Sequence, residues 1–73
     1  ETQETDQIDQ LTIRERQILR MIGEGKTSGV IANDLYLSTH TIDTHRENIK
    51  RKLGLKSAGE LSRAALQWVL ENP

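Results

Sequence analysis

Helix start and stop signals divide this chain into four short segments, and that division constrains its fold more than any other feature. Thr12, Thr27, Ser38 and Ser57 each precede an apolar-periodic run, and Gly25 and Gly54 close two of those runs. A Ser or Thr at such a position accepts a hydrogen bond from an otherwise unpaired N–H of the first turn. Glycine takes the left-handed conformation that ends a helix at least cost. Thr12 is followed three residues later by Glu15, and Ser57 by Glu60. Both pairs read as capping boxes, in which the carboxylate reaches back to the N–H of the capping residue. The predicted helices are residues 13–24, 28–35, 39–53 and 58–70. The single proline is residue 73, no alternation of period two marks a strand, and no internal repeat is visible.

The periodicity supplies a core. Ile18, Leu19 and Ile22 share one stripe of the first helix, and Ile31 and Leu35 follow on the second with Ala32 between them. On the third, Ile42, His45, Ile49 and Leu53 fall within about 80° of each other. The fourth offers Leu61, Ala64, Ala65, Trp68 and Val69. The expected fold is all-α: a three-helix core plus a fourth, C-terminal helix.

Seventy-three residues make one small domain. Without cysteine there is neither a disulfide framework nor a thiolate metal site. No apolar run approaches the ~20 residues that a membrane helix needs, and no secretory signal pattern is present. The chain begins with Glu1 rather than Met, as expected of a processed chain or a piece of a longer one. Its net charge of −1 hides an asymmetry. Residues 1–10 hold Glu1, Glu4, Asp6 and Asp9, no base, and Ile8 as the one apolar residue. Such a segment buries too little to offset its ordering entropy and reads as an acidic linker or tail. Residues 11–73 hold ten bases against seven acids, a net of +3, which permits a nucleic-acid partner without demanding one.

Opposite the apolar stripe of the third helix stand His40, Thr44, Glu47 and Arg51, flanked by Asp43 and Lys50, with Thr39, Thr41 and Arg46 at the borders. This is one polar face about four turns long. A short helix, a tight connection at Tyr36-Leu37 and a longer helix with a polar outer face form a helix-turn-helix layout over about residues 28–47. In that layout the second helix enters the DNA major groove, where base edges carry a distinguishing pattern of donors and acceptors. The helix starts capped by Thr27 and Ser38 offer N–H groups to phosphates.

"LTIRERQIL", the Gly25–Thr27 step, "IANDLYLS", "TIDTHRENIKRKLGLKS" and the Ala/Leu-rich helix that follows together resemble the LuxR/NarL-type helix-turn-helix domain, most closely the version carried by two-component response regulators. The resemblance covers about residues 11–69 without gaps. It implies a cytoplasmic bacterial regulator of transcription that binds double-stranded DNA, nucleoid-associated when bound. It also implies an upstream receiver or sensing domain, with residues 1–10 as the linker, and a homodimer on DNA paired through the fourth helix, at Leu61, Ala65 and Trp68. Base-reading positions of such domains fall on Asp43, Thr44 and Glu47, with His40 close by. Backbone-contacting positions fall near Thr27, Thr41, Arg46, Lys50 and Lys56, and Arg51 lies on the same exposed face. Asp43 and Glu47 depart from the family, since relatives often place cations there.

Those two acids have two readings. A carboxylate accepts from the cytosine amino group and repels phosphates, which raises discrimination. Alternatively Asp43 pairs with Arg46 and Glu47 with Arg51 on the helix surface. The cluster Arg46, Lys50, Arg51, Lys52 and Lys56 either holds the DNA backbone or only complements the helix dipole. Lys52 lies on the apolar side and is expected to cover the core with its stem. His45 is expected as a hydrogen-bonded histidine at the core boundary. Trp68 either packs on the first three helices or lies at a subunit interface.

Catalysis is not expected. Ser38, His40, Asp43 and His45 crowd together, but His45 turns inward while His40 and Asp43 turn outward, so no nucleophile, base and oxyanion site converge. His40 and His45, five apart, do not share the face that a metal pair needs. No Gly-rich phosphate loop is present, and no cofactor is expected. The alternative function is a protein-interaction module that keeps the fold without binding DNA.

Overall fold

A computed structural model of the protein describes residues 8–73. Four helices follow the sequence signals: α1 (Ile13–Gly23), α2 (Ser28–Leu35), α3 (Thr39–Leu53) and α4 (Ala58–Glu71). No strand occurs among the described residues. The ends differ from expectation by one residue: α1 stops at Gly23 and α4 runs on to Glu71.

The caps show why the helices begin where they do. Thr12 accepts from the Glu15 N–H at 3.1 Å, and the Glu15 carboxylate accepts from the Thr12 N–H at 2.9 Å, a complete capping box. Thr27 accepts from Val30 and Ser38 from Thr41. The second expected box closes differently. Ser57 accepts from the Glu60 N–H, but the Glu60 carboxylate takes the N–H of Lys56, one residue before the cap, at 2.8 Å. Three helices then end in a left-handed residue. Gly25 (φ 91°) and Gly54 (φ 70°) do this after α1 and α3, while Tyr36 (φ 58°, ψ 42°) does it after α2. The left-handed conformation costs a residue with a Cβ roughly 1–2 kcal/mol.

Eleven apolar residues from all four helices and from Leu11 form one buried cluster. Ile18, Leu19, Ile31, Ile42, Ile49 and Leu61 are its largest fully buried side chains. α1 is the hub: it packs on α4 and α3, and α3 in turn packs on α2. At Gly23 α1 and α4 approach closely. A Cβ there would lie 2.5 Å from the Ala65 carbonyl oxygen and 2.6 Å from a Val69 methyl. Arg20 fastens the same seam, with its guanidinium 4.9 Å from the Trp68 ring centre and donating to the Asn72 carbonyl at 2.7 Å.

Of the expected linker, residues 1–7 lie outside the described residues. Ile8 packs against the core, and the Asp9 carboxylate sits 3.6 Å from Arg16. The folded body therefore includes Ile8 and Asp9 as well as the residues from Leu11 onward.

Candidate nucleic-acid interface

The outer face of α3 is built by the helical period, and its orientation is set by what α3 buries. Ile42, Ile49 and Leu53 turn fully into the core. The opposite side then has to face solvent, and His40, Asp43, Thr44, Glu47 and Arg51 are all exposed there. Thr41, Arg46 and Lys50 are half-buried along its edges. Thr27 lies exposed at the start of α2, and Lys56 is exposed just beyond α3. One polar surface thus carries His40, Asp43, Thr44 and Glu47, with Lys50, Arg51 and Lys56 toward its C-terminal end.

Local hydrogen bonds limit what several of these groups can offer. The Ser38 hydroxyl accepts from the Thr41 N–H at 3.1 Å and shares a 2.9 Å bond with the Thr41 hydroxyl. The Thr44 hydroxyl donates to the His40 carbonyl at 3.1 Å. With that proton engaged, Thr44 presents to an incoming partner a lone pair and a methyl group. Arg46 leans toward the start of α2 and lines an open cleft with Thr27, Ser28, Ser62 and Leu66.

The expected surface pairs are corrected by the geometry. Glu47 pairs with Lys50 at 2.9 Å, not with Arg51, since residues three and four apart are equally its neighbours. Asp43 makes no ion pair with Arg46 or with any other described residue, and Arg51 is unpaired likewise. Among the described residues, then, the face presents an unpaired carboxylate, a neutralised pair and an unpaired guanidinium.

α3 is pinned to α1 by a contact the periodicity did not reveal. Lys52 does more than cover the core: its ammonium donates to Glu15 Oε1 at 2.8 Å. Glu15 is buried, 4% exposed, so one carboxylate oxygen both caps α1 and anchors α3. Burial alone would raise the Glu15 pKa. The hydrogen bonds from Lys52 and Thr12, together with the charges of Lys52 and His45, outweigh it and hold the pKa below the usual carboxylate value. His45 sits half-buried on the inner flank of α3 as expected, but its Nδ1 is buried without a hydrogen-bond partner among the described residues.

The expected pairing surface on α4 also needs correction. Leu61 and Ala65 are fully buried in the core, so neither is free to meet a second subunit. Trp68 is half-buried, packs against the same core and lies under Arg20. The apolar side chains that α4 does present to solvent are Leu66 and Leu70, i and i+4 on one stripe. Among the described residues no cluster of His, Asp or Glu is arranged to hold a metal ion. Among the described residues no helix is long and apolar enough to cross a membrane.

Comparison with known proteins gives the same architecture a family. The family model described as bacterial regulatory proteins, luxR family, matches residues 9–65. The chain is 51% identical over 59 residues to the uncharacterized response regulatory protein YgeK of Escherichia coli (strain K12), covering 81% of this chain and 40% of that one. It is 45% identical over 58 residues to the transcriptional regulatory protein MctR of Rhizobium johnstonii, covering 80% of this chain and 27% of that one. It is 41% identical over 63 residues to the oxygen regulatory protein NreC of Staphylococcus aureus (strain JH9), covering 86% and 29%. The chain thus spans between about a quarter and two fifths of the length of these relatives. No solved structure matches significantly.

Proposed function

The chain belongs to the luxR family of bacterial regulatory proteins, and on that premise we propose that residues 11–73 are the DNA-binding output domain of a response regulator that controls transcription. The observation that carries this reading is the exposed face of α3, polar over its whole length and edged by Lys50, Arg51 and Lys56. Laid in the major groove, the face brings His40, Asp43, Thr44 and Glu47 to base edges. Thr27, Thr41, Arg46, Lys50, Arg51 and Lys56 hold the phosphate backbone. The segment that precedes the folded body leads from an upstream receiver or sensing domain, which the greater length of the relatives supports. Two copies pair on DNA through α4, with Leu66 and Leu70 in place of the buried Leu61 and Ala65. The domain works in the cytoplasm, on the nucleoid, and binds rather than catalyses.

The test is amide chemical-shift mapping during titration with a mixed-sequence duplex, at low and then at raised salt. Shifts are expected on Thr27, residues 39–44, Glu47, Lys50 and Arg51. Four of the backbone contacts, Arg46, Lys50, Arg51 and Lys56, carry charge, so affinity is expected to fall roughly a hundredfold between about 50 and 200 mM salt. A chain that shows no shift at low salt is a protein-interaction module instead.

The acids give a sharper prediction. Each good base contact is worth about 1–3 kcal/mol of discrimination. Asp43→Ala and Glu47→Ala are each expected to relax base preference at one position in binding-site selection. Glu47→Ala also frees Lys50, so it is expected to tighten binding to arbitrary sequence at low salt. Unchanged preference in both variants would leave Glu47 to its pair with Lys50 and remove both acids from base reading.

A further inference from the structure

The turn that aims α3 contains a residue the fold itself does not ask for. Tyr36 is the one residue other than glycine with positive φ among the described residues. It is 94% exposed, so its ring gains nothing from the core. The turn needs only the backbone there: the Leu37 N–H reaches the Ala32 carbonyl at 2.8 Å and the Tyr36 N–H the Asn33 carbonyl at 3.3 Å. At the corresponding positions after α1 and α3 the same chain uses Gly25 and Gly54. A strained residue kept where the fold does not reward it points to a role outside the fold.

The position indicates which role. Tyr36 lies two residues before Ser38, the cap of α3, and the exposed Thr39 and His40 follow directly. Its other exposed neighbours in the segment are Asn33 and Asp34, both polar, while Leu35 and Leu37 pack inward. A protein-docking patch needs contiguous apolar surface, whereas a lone phenol among polar side chains at the leading end of a groove-reading helix suits a phosphate. Tyrosine hydroxyls are regular donors to phosphate oxygens. We propose that Tyr36 is a DNA-backbone contact, its hydroxyl donating to a phosphate beside the groove that α3 enters. This rests on the DNA-binding reading above and adds to it a contact from the turn that carries no charge.

The neutrality of the group makes the test specific. The chain and its Tyr36→Phe and Tyr36→Gly variants are titrated with one duplex across a range of salt, and their melting temperatures are compared. Tyr36→Phe is expected to lose about ten- to a hundredfold in affinity, the loss expected for one hydrogen bond to a charged group. The slope of affinity against salt stays that of the natural chain, because a neutral hydroxyl displaces no counterion. Tyr36→Gly is expected to bind at least as weakly while melting no lower, since glycine accepts the left-handed backbone without strain. Tyr36→Phe binding as tightly as the natural chain overturns the contact and leaves the ring to a protein partner. A melting temperature that falls along with the affinity in Tyr36→Gly overturns it in favour of a structural role. Failure of the natural chain to bind any duplex is a separate result, which removes the DNA reading itself.

Discussion

Gly23→Ala is expected to melt well below the natural chain, although alanine is the better helix former. At Gly23 the added Cβ meets the Ala65 carbonyl oxygen at 2.5 Å and a Val69 methyl at 2.6 Å. The first of these is backbone, so no side-chain rotation relieves it. α1 and α4 must separate, and the seam they share contains Ile22, Leu61 and Ala65. Overpacking of this kind costs about 3 kcal/mol at the upper end of its usual range. Alanine returns about 1 kcal/mol through helix propensity. The net loss of about 2 kcal/mol is large for a domain of this size, whose core supplies only about 3–5 kcal/mol. A midpoint lower by about 8–16 °C follows. Gly29→Ala is the control. It adds the same atom to α2, where the new Cβ would meet only the hydroxyl of the capping Thr27, at 3.9 Å, so stability is expected to hold or rise. Circular-dichroism melts of the two variants check the pair, and Gly23→Ala melting together with the natural chain would remove the close approach as an explanation for the glycine.

The contrast between Gly23 and Gly25 shows which parts of this fold were legible in the sequence. Gly25 announces itself locally, after an apolar run and before a capping threonine, and the helix ends beside it. Gly23 is read as one more residue inside a helix, because the atoms that forbid a side chain belong to α4, far along the chain. The same division separates the caps from the ion pairs. Thr12 and Glu15 are three apart, and their reciprocal bonds are the ones that spacing suggests, although Ser57 and Glu60, spaced alike, close only half of theirs. That Glu15 also meets Lys52 depends on how α3 crosses α1, which periodicity does not specify. The helical period alone turns Lys52 inward, and its side chain is half-buried there. On α4 the period groups Leu61 with Ala65 and Leu66 with Leu70, but it does not say which pair is buried. The three-dimensional packing gives the core to the first pair and leaves the second exposed. Tyr36 was visible only as part of a tight connection. Its left-handed backbone would have been suggested by comparing it with the two glycines that end α1 and α3. On α3 the legible part is the division into an inner and an outer face. The roles of the outer residues follow from chemistry and likeness, which is why they are matters for experiment.

Glu15→Gln is expected to destabilise the domain at neutral pH by about 1–3 kcal/mol, the range for a hydrogen bond to a charged group whose partner is left buried. The amide still accepts the Thr12 N–H, so the cap survives and the loss reports on the link to Lys52. The Lys52 side chain remains 29% exposed, which places the loss toward the lower end of that range. The pH dependence identifies the link. The carboxyl of Glu15 titrates below its ordinary value of 4.5 in the folded chain. A depressed pKa means that the unfolded chain binds the proton more readily than the folded one. The stabilisation is therefore fully present above about pH 4.5 and is lost as the pH falls through the lower, folded-state pKa. The chain carries other acids, so the natural chain alone does not isolate the effect. The difference between the natural chain and Glu15→Gln does, because both carry every other acid. Urea unfolding at steps from pH 7 to pH 3 is expected to show that difference constant above about pH 5 and closing below about pH 4. A gap that persists undiminished at pH 3 would mean that the glutamine is disfavoured by its fit in the site, and that the charge on Glu15 does not tie α3 to α1.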